Sequence, residues 1–481
     1  MAEQARGDRR QLVLGATVRT LGAWPSGWRY PNAHRNPKDD RLELTRIALA
    51  AEAAGLQFLY FGDWLATSAD FEFTDPYLLA RVEPFAAISY LAAITSKIGL
   101  LATVSSSHAE PYSTARSSAS IDLLSDGRVG LSVTSGSEAQ SASNFGWRVI
   151  HPEADRIAAA SEFIDILRGL WDSWDDEAFL ADADSGRLID ASGLHALGYE
   201  GKLRSSAGPL NVLRSPQGHP PIALVGAAEN SRQLAARSAD VCFVSPRTIA
   251  DGVELYANAK RDAAAWGRNP DHYLLMCSIF PIIGETREAA WQLYDELVEL
   301  VPVELVAGRA EIEGLPPNRT IRSLSDVLGV SLNGVRIDDY LTERLALRFS
   351  DQARALIRIV GARSGRRVGG QRGITFRHLL VAHVVTAPIL VGSAEDVADH
   401  FESWFTRRAV DGFTVLSAFG DQFETFARLV VPELRRRGLF PDEYLGETLR
   451  DHLGLDAATS TLSAGKAPQY TDANGMRIRR P

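Results

Sequence analysis

The chain has 481 residues, 45% of them hydrophobic and 23% charged, and 51 Lys and Arg stand against 60 Asp and Glu for a net charge of −9. That acidic balance disfavours nucleic-acid phosphates as a partner. Two cysteines, Cys242 and Cys277, make neither a disulfide framework nor a metal-ligand pair by spacing. The N-terminus, MAEQARGDRR, is charged with no signal-like apolar run behind it, and no stretch reaches the roughly 18 uninterrupted apolar residues of a membrane span. A cytoplasmic protein with no membrane and no nucleic-acid partner is expected.

Short apolar runs alternate with longer amphipathic stretches. Leu12–Val18 reads as the first strand, and Leu44, Ile47, Ala48 and Ala51 then fall on one helix face. Gly55 stops that helix, and Phe58–Phe61 is the second strand, ending at Gly62-Asp63. A helix around Pro84–Thr95, a strand around Ile98–Val104, a helix over Tyr112–Leu124 and a strand over Val129–Val133 follow. Later strands are Ile222–Val225, Val241–Val244 and Leu274–Ile283, each followed by a helical pattern. The helix near Arg287–Val301 carries Ala290, Leu293, Tyr294, Leu297 and Val301 on one stripe. Phe413–Leu416 is the last strand, before a helix bearing Phe423, Phe426 and Leu429.

Strands apolar on both faces and alternating with helices predict a parallel sheet covered by helices. Closing about eight such pairs leaves no exposed edge, so the expected fold is α/β, a (β/α)8 TIM barrel; a doubly wound open sheet is the runner-up. Residues 1–455 are read as one barrel domain with insertions at about 181–217 and 302–387, placed at the C-terminal face where loops build active sites. The first insertion reads as a polar loop with a small hairpin. Residues 456–481 read as a C-terminal surface arm.

No Walker loop, GxSxG elbow, HExxH or strand-following GxGxxG is present, and the ten histidines form no metal cluster by spacing. Three places look chemical. Asp63, at the end of the second strand, is placed either to accept a hydrogen bond from a ligand or to cap the next helix. Thr103–Ser107 (TVSSS) offers hydroxyls either to a polar heterocycle or to the backbone of a turn. Val225–Ser231 (VGAAENS) runs a strand into a helix start, which is a seat for a phosphate or simply a tight turn of small residues. The tryptophans read as core or interface anchors.

In this order and spacing, several strings resemble the bacterial-luciferase-like flavin monooxygenases, specifically the nitrilotriacetate, pristinamycin-synthase and dibenzothiophene-sulfone monooxygenase group. They include Trp28–His34, LYFGDWLA (59–66), IGLLATVSSS (98–107), EPYSTAR (110–116), Asn144-Phe145-Gly146 and GLWDSWDDEAF (169–179). GPLNVLRSPQGHPPI (208–222), VGAAENSRQLAARSADVCF (225–243), VGSAEDVADHFESWF (391–405) and VVPELRRRGLFPDEY (430–444) complete the set. The resemblance implies a two-component enzyme. Reduced FMN arrives from a separate NAD(P)H:FMN reductase, a flavin C4a-(hydro)peroxide forms with O2, and one oxygen atom enters a small organic substrate. It also implies a homodimer or homotetramer. Deazaflavin-dependent reductases and a non-catalytic paralogue are the alternatives.

Carried over by position, Asp63 and Thr103 should meet the isoalloxazine, with Ser132 and Ser135 on the neighbouring strand end. Gly226, Ala227, Ala228 and Ser231 should hold the 5′-phosphate. His34, Tyr30 and His151 are the candidates for contact with substrate or the reacting oxygen. There are departures. The usual Trp-Asn is Leu131-Ser132 here, and a pair of serines in the phosphate loop is Ala227-Ala228. A His and a Tyr four residues later, aligned on Arg156, become Glu153 and Ile157. Losing a hydroxyl donor to phosphate costs about 1–3 kcal/mol, so weaker FMN binding is expected. An acidic substrate would draw on Arg29, Arg214 or the Arg363–Arg372 loop.

Overall fold

The computed structural model describes residues 10–458 and 460, apart from 74, 137, 147–149, 227, 303–320, 333, 386 and 387. Eight parallel strands close into a barrel: β1 (Val13–Thr17), β2 (Phe58–Phe61), β3 (Gly99–Ser105), β4 (Val129–Thr134), β5 (Ile222–Val225), β6 (Val241–Val244), β7 (Leu274–Ile283) and β8 (Gly412–Val415). Neighbours pair in chain order. The ring closes through β6 on β7 (Val241↔Leu274), β7 on β8 (Met276↔Gly412) and β8 on β1 (Val13↔Gly412). All eight expected strands are present, and closure rather than an open sheet is the outcome.

Alternation along each strand decides what faces in. Val13, Phe58, Tyr60, Leu101, Ala223 and Phe243 share the interior cluster, while Leu12, Leu14, Leu59 and Leu100 pack outward against the helices. The outer layer includes α1 (Asp40–Ala53), α2 (Pro84–Ala92), α3 (Pro111–Leu124), α4 (Glu153–Trp171), α5 (Glu229–Ser238) and α6 (Ile249–Ala265). The stripe Leu44, Ile47, Ala48 and Ala51 of α1 is buried, as its spacing predicts. Leu449, Leu453 and Leu455 enter the barrel from its N-terminal end. Gly99 and Gly130 make room for Leu449: a Cβ on Gly99 would stand 2.4 Å from its Cδ1.

After β7 comes α7 (Arg287–Leu300), with Ala290, Tyr294 and Leu297 buried. Helices Ile321–Leu328, Asp351–Ser364 and Phe376–Val384 of the second insertion pack on α7 in one apolar cluster. The chain returns through a short strand, Ile389–Gly392, which pairs parallel with the far half of β7 (Phe280↔Ile389). α8 (Ala394–Thr406) then leads into β8. The sequence reading did not single out the extra strand.

The first insertion departs from the expected placement at the C-terminal face: it connects the end of α4 to the start of β5, so both its ends lie at the N-terminal end of the barrel. Its body is two small hairpins, Phe179–Asp182 with Arg187–Ile189 and Tyr199–Glu200 with Ser205–Ser206. The tip of the second hairpin climbs the flank of α4 and reaches the C-terminal rim, where Arg204 donates to the Ser106 carbonyl just past β3. From 461 onward the expected C-terminal arm lies outside the described residues.

Candidate functional site at the C-terminal mouth

Polar side chains replace apolar ones toward the C-terminal end of the barrel interior. The rings of Tyr60 and Phe243 pair at 4.9 Å, and Thr103 Oγ1 lies 3.4 Å from the Tyr60 hydroxyl. Ser278 and Thr414 join hydroxyl to hydroxyl at 3.0 Å across β7 and β8. Ser132 stands beside Thr103 in the β3–β4 register. Among the described residues, the buried hydroxyls of Ser132 and Ser105 have no hydrogen-bond partner. A buried polar group left unpaired costs about 1–3 kcal/mol, so a ligand that reaches these two hydroxyls gains by pairing them.

The TVSSS string divides its hydroxyls between the two roles considered for it. Ser106 Oγ donates to the Thr134 carbonyl at 2.9 Å and Ser107 Oγ to that of Ser135, so these two satisfy the turn. Thr103 and Ser105 face the barrel interior. Asp63 does not cap a helix. Its Oδ1 accepts from the Trp64 N–H at 2.8 Å and from Arg81 Nη2 at 3.0 Å. It lines a cleft of about 340 Å3 with Thr103, Ser105, His108 and Phe145.

A second cleft of about 340 Å3 lies where β4 and β5 end, lined by Ser135, Gly136, Glu138, Glu153, Arg156, Ile157, Ala228 and Ser231. α5 begins here, and its first-turn N–H groups have no intrahelical acceptors. The expected phosphate contacts are only partly available. Gly226 N–H is bound to the Phe243 carbonyl at 3.0 Å. Ser231 Oγ folds back on its own helix start, accepting from Ala228 N–H at 3.0 Å and donating to Ala228 O at 2.8 Å. Ala227 lies outside the described residues. Arg156, by contrast, is a cation that sequence reasoning used only as an alignment anchor. Its Nη1 donates to Ser135 Oγ at 3.3 Å and Gly136 O at 3.1 Å, and its Nε to the His151 carbonyl at 3.1 Å.

His151 lines a third cleft, of about 470 Å3, with Ser107, His108, Glu110, Asp155, Arg156, Leu203 and Arg204. The other two reactive-residue candidates are taken up by packing and ion pairs. Tyr30 stacks on Phe419 at 4.0 Å and donates to Glu296 Oε2 at 3.2 Å; burial and the Glu296 charge raise its pKa. His34 Nε2 lies 2.9 Å from buried Asp40, whose pKa burial raises. Neither lines the three clefts. The cations considered for an acidic substrate are likewise engaged elsewhere. Arg29 donates to the Leu300 carbonyl, Arg214 pairs with Asp172 and Asp176, and Arg366 and Arg372 both reach Asp295. Among the described residues no cluster of three or more His, Cys, Asp or Glu could hold a metal ion. No described helix is long and apolar enough to cross a membrane.

Comparison with known proteins agrees with this architecture. The profile of the luciferase-like monooxygenases matches residues 26–412. The chain is 34% identical over 455 residues to N-acetyl-S-(2-succino)cysteine monooxygenase of Bacillus subtilis (strain 168), covering 93% of this chain and 97% of that protein. It is 35% identical over 463 residues to nitrilotriacetate monooxygenase component A of Aminobacter aminovorans, with the same two coverages of 93% and 97%. Among solved structures, EDTA monooxygenase from Chelativorans sp. BNC1 superposes with a TM-score of 0.72 at 25% identity, over 93% of this chain and 99% of that one.

Proposed function

Because the chain belongs to the luciferase-like monooxygenase family, we propose that it is a two-component, FMNH2-dependent enzyme inserting one atom of O2 into a small organic substrate. A separate NAD(P)H:FMN reductase supplies the reduced flavin; the relative named component A supports a divided system of this kind. The observation that carries the reading is a conjunction at the mouth. Ser105, a buried hydroxyl without a partner among the described residues, lines the Asp63 cleft, and Arg156 lines a second cleft with Ser135, Ala228 and Ser231 at the start of α5.

A flavin has a hydrogen-bonding ring edge at one end and a phosphate at the other, and the residues present fit both. Ser132, Ser105 and Thr103 would meet the ring edge, with Asp63 held in place by Arg81. Tyr60 and Phe243 would close the floor beneath and exclude water. Arg156 and the α5 N–H groups would hold the phosphate. Glu138 and Glu153 line the same cleft, so the seat is weaker than one built with two extra hydroxyl donors. Reduced flavin, when bound, supplies the electrons that let one oxygen atom reach the substrate while the other leaves as water.

Equilibrium titration with FMN and reduced FMN tests the reading, and binding of neither at high micromolar concentration ends it. With flavin bound and a surrogate reductase present, substrate-dependent oxygen uptake is expected. Hydride transfer without oxygen uptake would instead assign the chain to the deazaflavin-type reductases. A homodimer or homotetramer in gel filtration with light scattering is the expected assembly.

A further inference from the structure

The two oxygens of Asp63 are treated differently. Oδ1 is occupied by two donors, the Trp64 N–H at 2.8 Å and Arg81 Nη2 at 3.0 Å, while among the described residues nothing donates to Oδ2. A carboxylate accepts and cannot donate, so Oδ2 is the atom available to a ring N–H. Two donors converging on the other oxygen fix the side-chain torsions and so decide where Oδ2 stands. We propose that Arg81 is a positioning residue for the flavin ring, acting through Asp63, and that Tyr77 and Arg19 hold Arg81 in turn. The inference rests on the flavin reading above and concerns residues that do not themselves line the three clefts.

Arg81 is committed to this place. Its side chain is only 9% exposed, and beyond Asp63 it donates through Nη2 to the Trp64 carbonyl and through Nη1 to that of Leu78 at 3.3 Å. One guanidinium thus grips Trp64, where the loop after β2 begins, and Leu78, fourteen residues on. The same group lies 5.9 Å from the centre of the Tyr77 ring, and Arg19, in the loop after β1, lies 5.5 Å from that centre. Tyr77 is buried, and burial pushes its hydroxyl up to about 12, so the ring stays neutral and attracts both cations. Two guanidinium groups on one ring repel each other unless each has its own carboxylate. Arg19 has Asp75, and Arg81 has Asp63. The row Asp75, Arg19, Tyr77, Arg81, Asp63 therefore joins the first two loops of the mouth and ends on the carboxylate that lines the cleft.

The test is a double-mutant cycle on FMN affinity, read by flavin fluorescence, with the absorption spectrum of the bound flavin recorded for each variant. D63A and R81Q should each weaken FMN roughly tenfold, the size expected for one charge-assisted contact, and shift the bound spectrum in the same direction. The double variant should bind no more weakly than D63A alone, because Arg81 then has nothing left to position. R81K, which restores the charge without the planar fork, should recover part of the loss, and the same cycle run with R81K serves where R81Q does not fold. R19Q should weaken FMN about two- to threefold. Losses that multiply in the double variant would mean that Arg81 only staples the loop; they overturn the inference and leave the FMN reading standing. Unchanged affinity in R19Q overturns the part given to Tyr77 and Arg19. Failure of the wild type to bind FMN overturns the FMN reading, and the inference with it.

Discussion

Two arginines, one at each end of the barrel, are handled in opposite ways. Arg128, just before β4, is buried, and its guanidinium is saturated. Nε donates to Ser125 O at 2.7 Å, Nη1 to Thr95 Oγ1 at 2.8 Å and Ile98 O at 3.2 Å, and Nη2 to Ala92 O at 3.0 Å and Thr95 O at 2.9 Å. Around it Gln217 ties Asp122 to the Val129 carbonyl, and three leucines fill the interior. Arg156, past the end of β4, makes its described bonds through Nε and Nη1 and lines two clefts. The arginine at the floor gives all its donors to the chain itself, while the one at the mouth lines open clefts. Such a division separates the residues that set stability from those that set binding.

The largest effect should come from Arg128→Met. It removes the cation that satisfies a ring of buried acceptors, and a loss of about 3–5 kcal/mol in denaturant unfolding is expected. Arg156→Gln is the counterpart at the mouth. FMN affinity should fall roughly 10- to 100-fold, the equivalent of about 1.5–3 kcal/mol, with the unfolding midpoint almost unmoved. A large stability loss in Arg156→Gln would erase the contrast.

A third measurement uses pH. Burial pulls the pKa of His452, beside Tyr444 on the barrel floor, down to about 4. The unfolded chain then binds a proton that the folded chain refuses between about pH 6.5 and 4. This contribution is complete above pH 6.5 and is lost as pH falls through 4. His452→Phe keeps the ring and should flatten this acid-side slope by about 1–3 kcal/mol; an unchanged slope would locate the acid sensitivity elsewhere. The smallest stability change belongs to Ser132→Ala. Removing an unpartnered hydroxyl should leave the protein as stable or up to about 1 kcal/mol more so, yet weaken flavin binding several-fold. A matched loss of stability would mean that Ser132 serves the fold.

All eight barrel strands were legible in the sequence, four of them with the bounds the structure shows, because strands buried on both faces read as continuous apolar runs. The strand Ile389–Gly392 was not, since its first half is only partly buried and carries a weaker signal. α4 was also missed. It is buried almost all round from Phe163 to Trp171, so no single stripe stands out. Asp63, Thr103 and Ser132 could be picked out as candidates because strand ends converge at the C-terminal mouth of a barrel. The position of Arg204 could not: only the folding of the insertion brings it beside Ser106, across 98 residues of chain. No signal in the sequence marks the neighbours of Tyr30 and His34, since Phe419, Glu296 and Asp40 reach them only through the fold.

The strand Ile389–Gly392 has a further consequence. The helical insertion departs from the end of β7 and returns along that same strand, with Phe280 N–H bound to the Pro388 carbonyl at 3.0 Å and Gly284 N–H to the Gly392 carbonyl at 3.3 Å. Departure and return thus lie within one strand's length. Closing the intervening segment costs little entropy whatever its size, because that cost grows only with the logarithm of loop length. A change in the length of that segment therefore adds little to the closure cost, while α7, whose Leu297 carbonyl accepts the Trp24 indole N–H at 2.9 Å, keeps the start of the segment tied to the loop after β1.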